Sequence, residues 1–185
     1  MDILPLFPVN FFQGRVSNPE EILAEINSKR DQITQVSESY ESQSVTTYKT
    51  DFKRPVKINS FESQIASCLA GLQEIGLSTK VEMYWTAMYS GSGHHAPHTH
   101  ARNAFDISNY SGVLYLSEGS GTEFLSPSVS CAETSVRIQP EFGAVLLFPS
   151  TLLHTYIPVN VLSTNERFIM SFNLMIKTIG PFIDD

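Results

Sequence analysis

The sequence predicts a mainly β protein, a jelly-roll-like core with two helices packed outside it. Three observations carry this. Two segments in the first 79 residues carry helix starts followed by apolar residues three and four apart. From residue 80 onward, seven short runs rich in aromatic and β-branched residues follow one another. Gly, Pro, Ser and Asn divide these runs, the pattern of antiparallel sheets closed into a sandwich or barrel. A length of 185 residues predicts one domain, with a helical part over 1–79 and the β core over 80–176.

Taken in chain order, the opening MDILPLFPVNFF is apolar but begins with an acid and is broken by two prolines, unlike a signal peptide or a membrane span. Asn18-Pro19 can start a helix, with Asn18 as cap and Pro19 at the first helical position. Ile22, Leu23, Ile26 and Ile33 then share or adjoin one stripe. The polar stretch SESYESQSVTTYK predicts a loop or an edge strand. A second helix is expected from Asn59, with Glu62 completing a capping box. Phe61, Ile65, Leu69, Leu72 and Ile75 form its apolar face, and Gly76 is its stop. The strand runs are KVEMYWTAMYS, YSGVLYLS, GTEFLS, TSVRIQP, GAVLLFPS, LLHTYIPV and RFIMSFNLMI.

The net charge of −7 and the lack of any Lys/Arg-rich run argue against nucleic-acid binding. Cys68 and Cys131 are far apart and outside any CxxC motif, so both are expected as reduced, buried thiols. With no membrane segment expected, the protein is read as soluble and cytoplasmic.

Chemistry concentrates in HHAPHTH, residues 94–100, which holds four of the five histidines. His98 and His100 flank one residue, so in an extended segment both rings point to the same face. Their Cα atoms are then roughly 6–7 Å apart, close enough for both to reach one metal at about 2.1 Å. A third ligand must come from elsewhere, and His154 lies between two strand-like segments that a jelly roll can bring near. Three protein ligands leave open positions on the metal, as catalytic sites require. His94 and His95, beside SGSG, are expected in a loop at the lip of the site. Arg167 begins the last apolar run. There it either faces the interior, where it needs an anion, or sits on the rim against a surface acid. Glu166, its neighbour, points the other way along an extended strand, so a ligand could supply that anion.

With these residues in place, the chain resembles the iron(II)- and 2-oxoglutarate-dependent oxygenases, in particular their prolyl-hydroxylase-like branch and small phage and bacterial oxygenases. The carrying phrases are His98-Thr-His100, YSGVLYL, FPSTLLH ending at His154, and ERFIMSFN holding Arg167. They cover roughly residues 80–176. The resemblance implies a double-stranded β-helix. It implies His98 and His154 as metal ligands and His100 where the family usually has an aspartate, with Asp106 as an alternative carboxylate. It implies Arg167 as the partner of the far carboxylate of 2-oxoglutarate, with Tyr115 beside it and Tyr89 at the end of the first core strand. The implied cofactors are iron(II), 2-oxoglutarate and O2, with ascorbate as an activator. The implied reaction hydroxylates a peptide or small molecule and releases succinate and CO2. Ser150, Thr151, Asn103 and Asn173 are polar groups near the motifs without an assigned role. Trp85, Phe105 and Tyr110 fit either the mouth or the core.

Two other readings stay open. A cupin-type metal protein would share the barrel but not need 2-oxoglutarate; cupins usually carry a glutamate soon after the paired histidines, and none occurs between His100 and Glu118. A jelly-roll binding or structural module would carry an incidental or decayed metal site.

Overall fold

The computed structural model describes residues 9–40, 44–48, 56–90, 93–100, 109–118, 121–126, 135–139, 141–156 and 166–179. Within these the helices are α1 (Pro19–Ser28), α2 (Arg30–Val36) and α3 (Asn59–Ala70), the last followed by a 3-10 turn over Gln73–Ile75. The strands are β1 (Phe12–Arg15), β2 (Glu38–Tyr40), β3 (Ser44–Thr46), β4 (Leu77–Tyr89), β5 (His95–His98) and β6 (Tyr110–Tyr115). They continue with β7 (Thr122–Leu125), β8 (Ser135–Ile138), β9 (Ala144–Pro149), β10 (His154–Tyr156) and β11 (Arg167–Thr178). None of the described helices is long and apolar enough to cross a membrane.

Asn18 caps α1 as its sequence predicts: its side chain accepts the Glu21 N–H at 3.4 Å, and Pro19 follows. The expected single helix is divided at Lys29, whose N–H is shared between the Glu25 and Ile26 carbonyls. The capping box expected at Asn59 does not form. Asn59 is the first helical residue, and the carboxylate of Glu25, reaching across from α1, takes the open donors. It accepts the Asn59 N–H at 3.0 Å, the Ser60 N–H at 2.8 Å and the Ser60 hydroxyl at 2.5 Å. A carboxylate competes well here because the helix N-terminus carries partial positive charge. Glu62 instead accepts from the Tyr84 hydroxyl at 2.8 Å.

All the strand pairings are antiparallel. One sheet has the order β1-β9-β6-β11-β4-β3-β2 and the other β5-β10-β7-β8. The polar stretch after α2 forms the edge pair β2–β3, and β1 adds an edge strand over FQGR, which sequence left unassigned. Helices cover one face of the large sheet, and the small sheet faces the other. The central strand β11 is therefore buried on both sides from Arg167 to Leu174, which explains its nearly continuous apolar run. Phe168, Met170, Phe172 and Leu174 join the core beneath the helices. Ile169 joins the core between the sheets, on the same face as Arg167, Ser171 and Asn173.

Gly112 on β6 is required by close approach: a Cβ there would lie 2.1 Å from the fully buried Phe172 ring. Cys68 is a free, half-buried thiol rather than a fully buried one, and Cys131 lies outside the described residues.

Glu25 ties two helices together. Burial opposes its ionisation, but the Lys29 ammonium at 2.6 Å and the donors of residues 59 and 60 prevail and hold its carboxyl at about 2. A depressed carboxyl stabilises the fold above its ordinary value of 4.5 and loses that contribution as pH falls towards about 2. Glu25→Gln should cost about 1–2 kcal/mol in urea unfolding near neutral pH. The difference from the parent should shrink between pH 4.5 and about 2. Gly112→Ala should cost about 1–3 kcal/mol in the same measurement, because the added methyl would force the fully buried Phe172 ring to shift.

Candidate metal centre

His98 ends β5 and His154 begins β10, and they are direct cross-strand partners in the small sheet. His100 lies two residues past His98, held by its backbone N–H to the Ser150 carbonyl at 2.9 Å. One ligand nitrogen from each of these three lies within 4.8 Å of the other two. The sequence-predicted trio is thus brought together.

The tautomers follow from the acceptors behind each ring. His98 Nδ1 is 2.9 Å from the Ala96 carbonyl, and His154 Nδ1 is 2.9 Å from the Leu152 carbonyl. A carbonyl only accepts, so both rings carry the proton on Nδ1 and leave Nε2 as a lone pair. His100 Nδ1 is 2.8 Å from Ser111 Oγ and 3.1 Å from Asn173 Oδ1. The Nε2 atoms of His98 and His100 face each other at 3.1 Å. Two lone pairs at that distance repel unless a cation lies between them or one ring carries a proton there. Two adjacent ligands of an octahedral ion with bonds of about 2.1 Å stand about 3.0 Å apart, so the spacing suits a shared metal.

Aromatic side chains wall the centre. Trp85 meets His100 edge-on with ring centroids 5.3 Å apart, and Phe148 lies 4.7 Å from His154. Burial lowers the imidazole pKa values below their ordinary 6.5, and neighbouring rings add to this: His100 falls to about 2 and His154 to about 4. All three rings are neutral near neutral pH. His95 departs from the loop expected for it. It begins β5, its ring lies 3.9 Å from that of His98, and burial brings it to about 3. His94 is exposed and outside the strand.

Arg167 occupies the same cavity as the histidines. It is 5% exposed, and its Nη1 has no hydrogen-bond partner among the described residues. Its guanidinium stands 3.8 Å from the Tyr156 ring, 5.3 Å from Tyr89 and 5.9 Å from Tyr115. Glu166 points away and pairs with Arg30, as alternation along a strand requires. Tyr115 uses its hydroxyl on Thr122 Oγ1 at 2.7 Å. Tyr89 is buried opposite Arg167 on β4.

Sequence reasoning missed Tyr156, Ser111 and the roles of Asn173 and Ser150. Tyr156 was legible, since it lies two residues past His154 and so shares its face of β10. Ser111 and Asn173 belong to strands distant in sequence, and nothing local marks them. Asp106, Asn103 and Phe105 lie outside the described residues. Trp85 is buried beside His100 and Tyr110 packs on the helix-side core. A larger cavity of about 560 Å³ lies between α3 and β4 and shares only Trp85 with the histidine cavity. No histidine is among its described lining residues, so the candidate metal site lies in the smaller one.

Neutral buried histidines make the metal-free protein acid-sensitive. Between about 6.5 and 4 the unfolded chain takes up protons that the folded site refuses, so stability falls as pH drops through that window. The loss should be on the order of 1.4 kcal/mol per pH unit for each such histidine. Thermal melting from pH 7 to 5 should show it, and His100→Asn should reduce it; equal pH slopes in the two proteins would contradict this.

No protein family profile matches the sequence, and no curated protein matches it. Solved structures do. A prolyl-4-hydroxylase from Pseudomonas putida matches with a TM-score of 0.60 at 14% identity, over 89% of this chain and 92% of that one. A prolyl hydroxylase from Trichoplax adhaerens, in complex with a hypoxia inducible factor peptide fragment, matches with a TM-score of 0.62 at 15% identity, over 89% and 83%. HygX from Streptomyces hygroscopicus, with nickel and 2-oxoglutarate bound, matches with a TM-score of 0.61 at 10% identity, over 95% and 84%. With two facing antiparallel sheets, helices on one outer face and these structural likenesses, the chain has the jelly-roll, double-stranded β-helix fold seen in prolyl hydroxylases and other 2-oxoglutarate- and iron(II)-dependent oxygenases.

Proposed function

We propose that this protein is an iron(II)- and 2-oxoglutarate-dependent oxygenase in which His98, His100 and His154 hold the metal and Arg167 binds the far carboxylate of 2-oxoglutarate. The observation that carries the reading is the Arg167 guanidinium, buried with Nη1 unpartnered among the described residues in the cavity where the three imidazoles converge. A buried cation surrounded by tyrosine rings is costly without an anion, and a carboxylate fits its planar fork. The three Nδ1 atoms already have partners, which leaves three Nε2 lone pairs for one ion.

When bound, iron(II) with O2 would supply the oxidation of a substrate C–H bond coupled to conversion of 2-oxoglutarate to succinate and CO2. The chain's own groups do the rest. Imidazoles fix the ion, and the acceptors behind them fix the imidazoles. Arg167 orients the cosubstrate, with Tyr89, Tyr115 and Tyr156 packed around it. Trp85, Phe124 and Phe148 keep water from the centre. The substrate is a peptide or a small molecule with an accessible C–H bond, ascorbate is an activator, and the setting is the cytoplasm.

The test is succinate release from purified protein given iron(II), ascorbate and 2-oxoglutarate. Turnover should vanish in His154→Ala. Arg167→Ala should weaken 2-oxoglutarate binding on the order of 30-fold or more, the usual result of truncating one side of a buried charge pair. Metal binding without 2-oxoglutarate binding would instead identify a cupin-type metal protein. Failure to bind metal would leave a jelly-roll binding module.

A further inference from the structure

We propose that Asn173 is a positioning residue: its side-chain carbonyl fixes the tautomer of His100, so that the ring turns a lone pair rather than an N–H toward His98 and His154. The proposal rests on the reading of the three histidines as a metal centre for its purpose, but its chemistry is argued from the partners of the His100 ring alone.

The two tautomers of His100 are not equivalent here. His98 Nε2 is an acceptor, because the Ala96 carbonyl holds its proton on Nδ1. With His100 Nε2 only 3.1 Å away, the tempting alternative is a proton on that atom, donated to His98. That arrangement would turn an N–H into the space between the rings and block an ion. His100 is the only one of the three whose Nδ1 faces no backbone carbonyl. It faces Ser111 Oγ at 2.8 Å and Asn173 Oδ1 at 3.1 Å. A serine hydroxyl both donates and accepts, so Ser111 alone would serve either tautomer.

The direction is set one step further back. Ser111 donates to Asn173 Oδ1 at 2.9 Å and stands 2.9 Å from Ser150 Oγ. With its hydrogen on Asn173 Oδ1, Ser111 can only accept from His100, and Asn173 Oδ1 itself can only accept. The amide carbonyl of Asn173 accepts from both Ser111 and His100, while its Nδ2 faces the weak acceptor Met83 Sδ at 3.7 Å. Turning the amide over would leave its buried carbonyl against the Met83 sulfur with no donor, so the carbonyl stays toward His100 and Ser111. Ser111, Ser150 and Asn173 are all buried, so water does not substitute for these partners. The same cluster holds the ring's backbone, since His100 N–H donates to the Ser150 carbonyl. Among polar groups on the inner face of β11, Asn173 thus acts through His100.

The tautomer is read directly in long-range proton–nitrogen NMR spectra of the metal-free full chain, and cobalt(II) binding is measured calorimetrically on the same samples. In the parent protein His100 should carry its proton on Nδ1. Asn173→Leu should shift the population to the Nε2-protonated form and weaken cobalt(II) binding roughly 10–100-fold. Asn173→Asp, which keeps an acceptor oxygen in place, should retain the Nδ1-protonated form; a role in packing alone would not produce this rescue. If leucine prevents folding, Asn173→Ala takes its place with the same expectation. An unchanged His100 tautomer in the leucine or alanine variant, or an Nε2-protonated ring in the parent, would overturn the proposal. A tautomer that responds as expected in a protein that takes up no cobalt(II) would uphold the positioning role and refute the metal centre.

Discussion

The site depends on the antiparallel register that sets His98 of β5 directly opposite His154 of β10. Opposed residues in such a pair have Cβ atoms about 4.5–5.5 Å apart, so two rings on one face can meet. A slip of one residue would turn one of them to the other side of the sheet. His100 then needs only the turn after β5 to reach the same point, and its backbone contact with Ser150 fixes that turn. Between His154 and Tyr156 the pairing takes one extra residue on β5, so Tyr156 stands opposite His95.

The opposite wall comes from β11, whose inner face alternates Arg167, Ile169, Ser171 and Asn173 between apolar residues that face the helices. At about 3.4 Å per residue, Arg167 and Asn173 stand roughly 20 Å apart along this strand, one beside the tyrosine rings and one behind His100. A central strand buried on both faces is an unfavourable place for three polar side chains. Each is tolerated for a different reason. Asn173 is satisfied within a buried polar cluster, Ser171 lines the cavity, and Arg167 rests against aromatic faces with one donor unmatched. The same burial has opposite consequences for the two kinds of base. It strips the proton from the imidazoles, whose ordinary pKa lies near neutrality. The guanidinium starts far higher and stays charged, so the site combines neutral imidazoles with one cation.

Much of this was legible in the chain. The i, i+2 spacing of His98 and His100 required only an extended segment, the lone His154 after FPS required only a neighbouring strand, and Arg167 opening an apolar run required an anion or a rim. The helical stripes and the β-favouring runs gave the two-part architecture. The misses share a cause. At Asn59 the local capping pattern was sound, yet Glu25 from another helix reached the same donors. His95 had loop-forming neighbours, yet pairing with Tyr156 drew it into β5. Asn173 and Ser150 stood out only as polar groups near motifs, because their partners come from strands far away in sequence.

Sequence by itself determined the periodicities, and with them the mainly β class, the outer helices and the residues able to bind a metal or an acid, since side-chain direction along a helix or strand is a local property. Only the tertiary structure decided which groups stand behind each histidine ring, which carboxylate caps α3, and that Arg167 is enclosed by three tyrosines with a donor unmatched among the described residues. Those outcomes depend on donors and acceptors from distant segments meeting within about 3 Å, where hydrogen bonding and desolvation act, and no local pattern encodes such meetings.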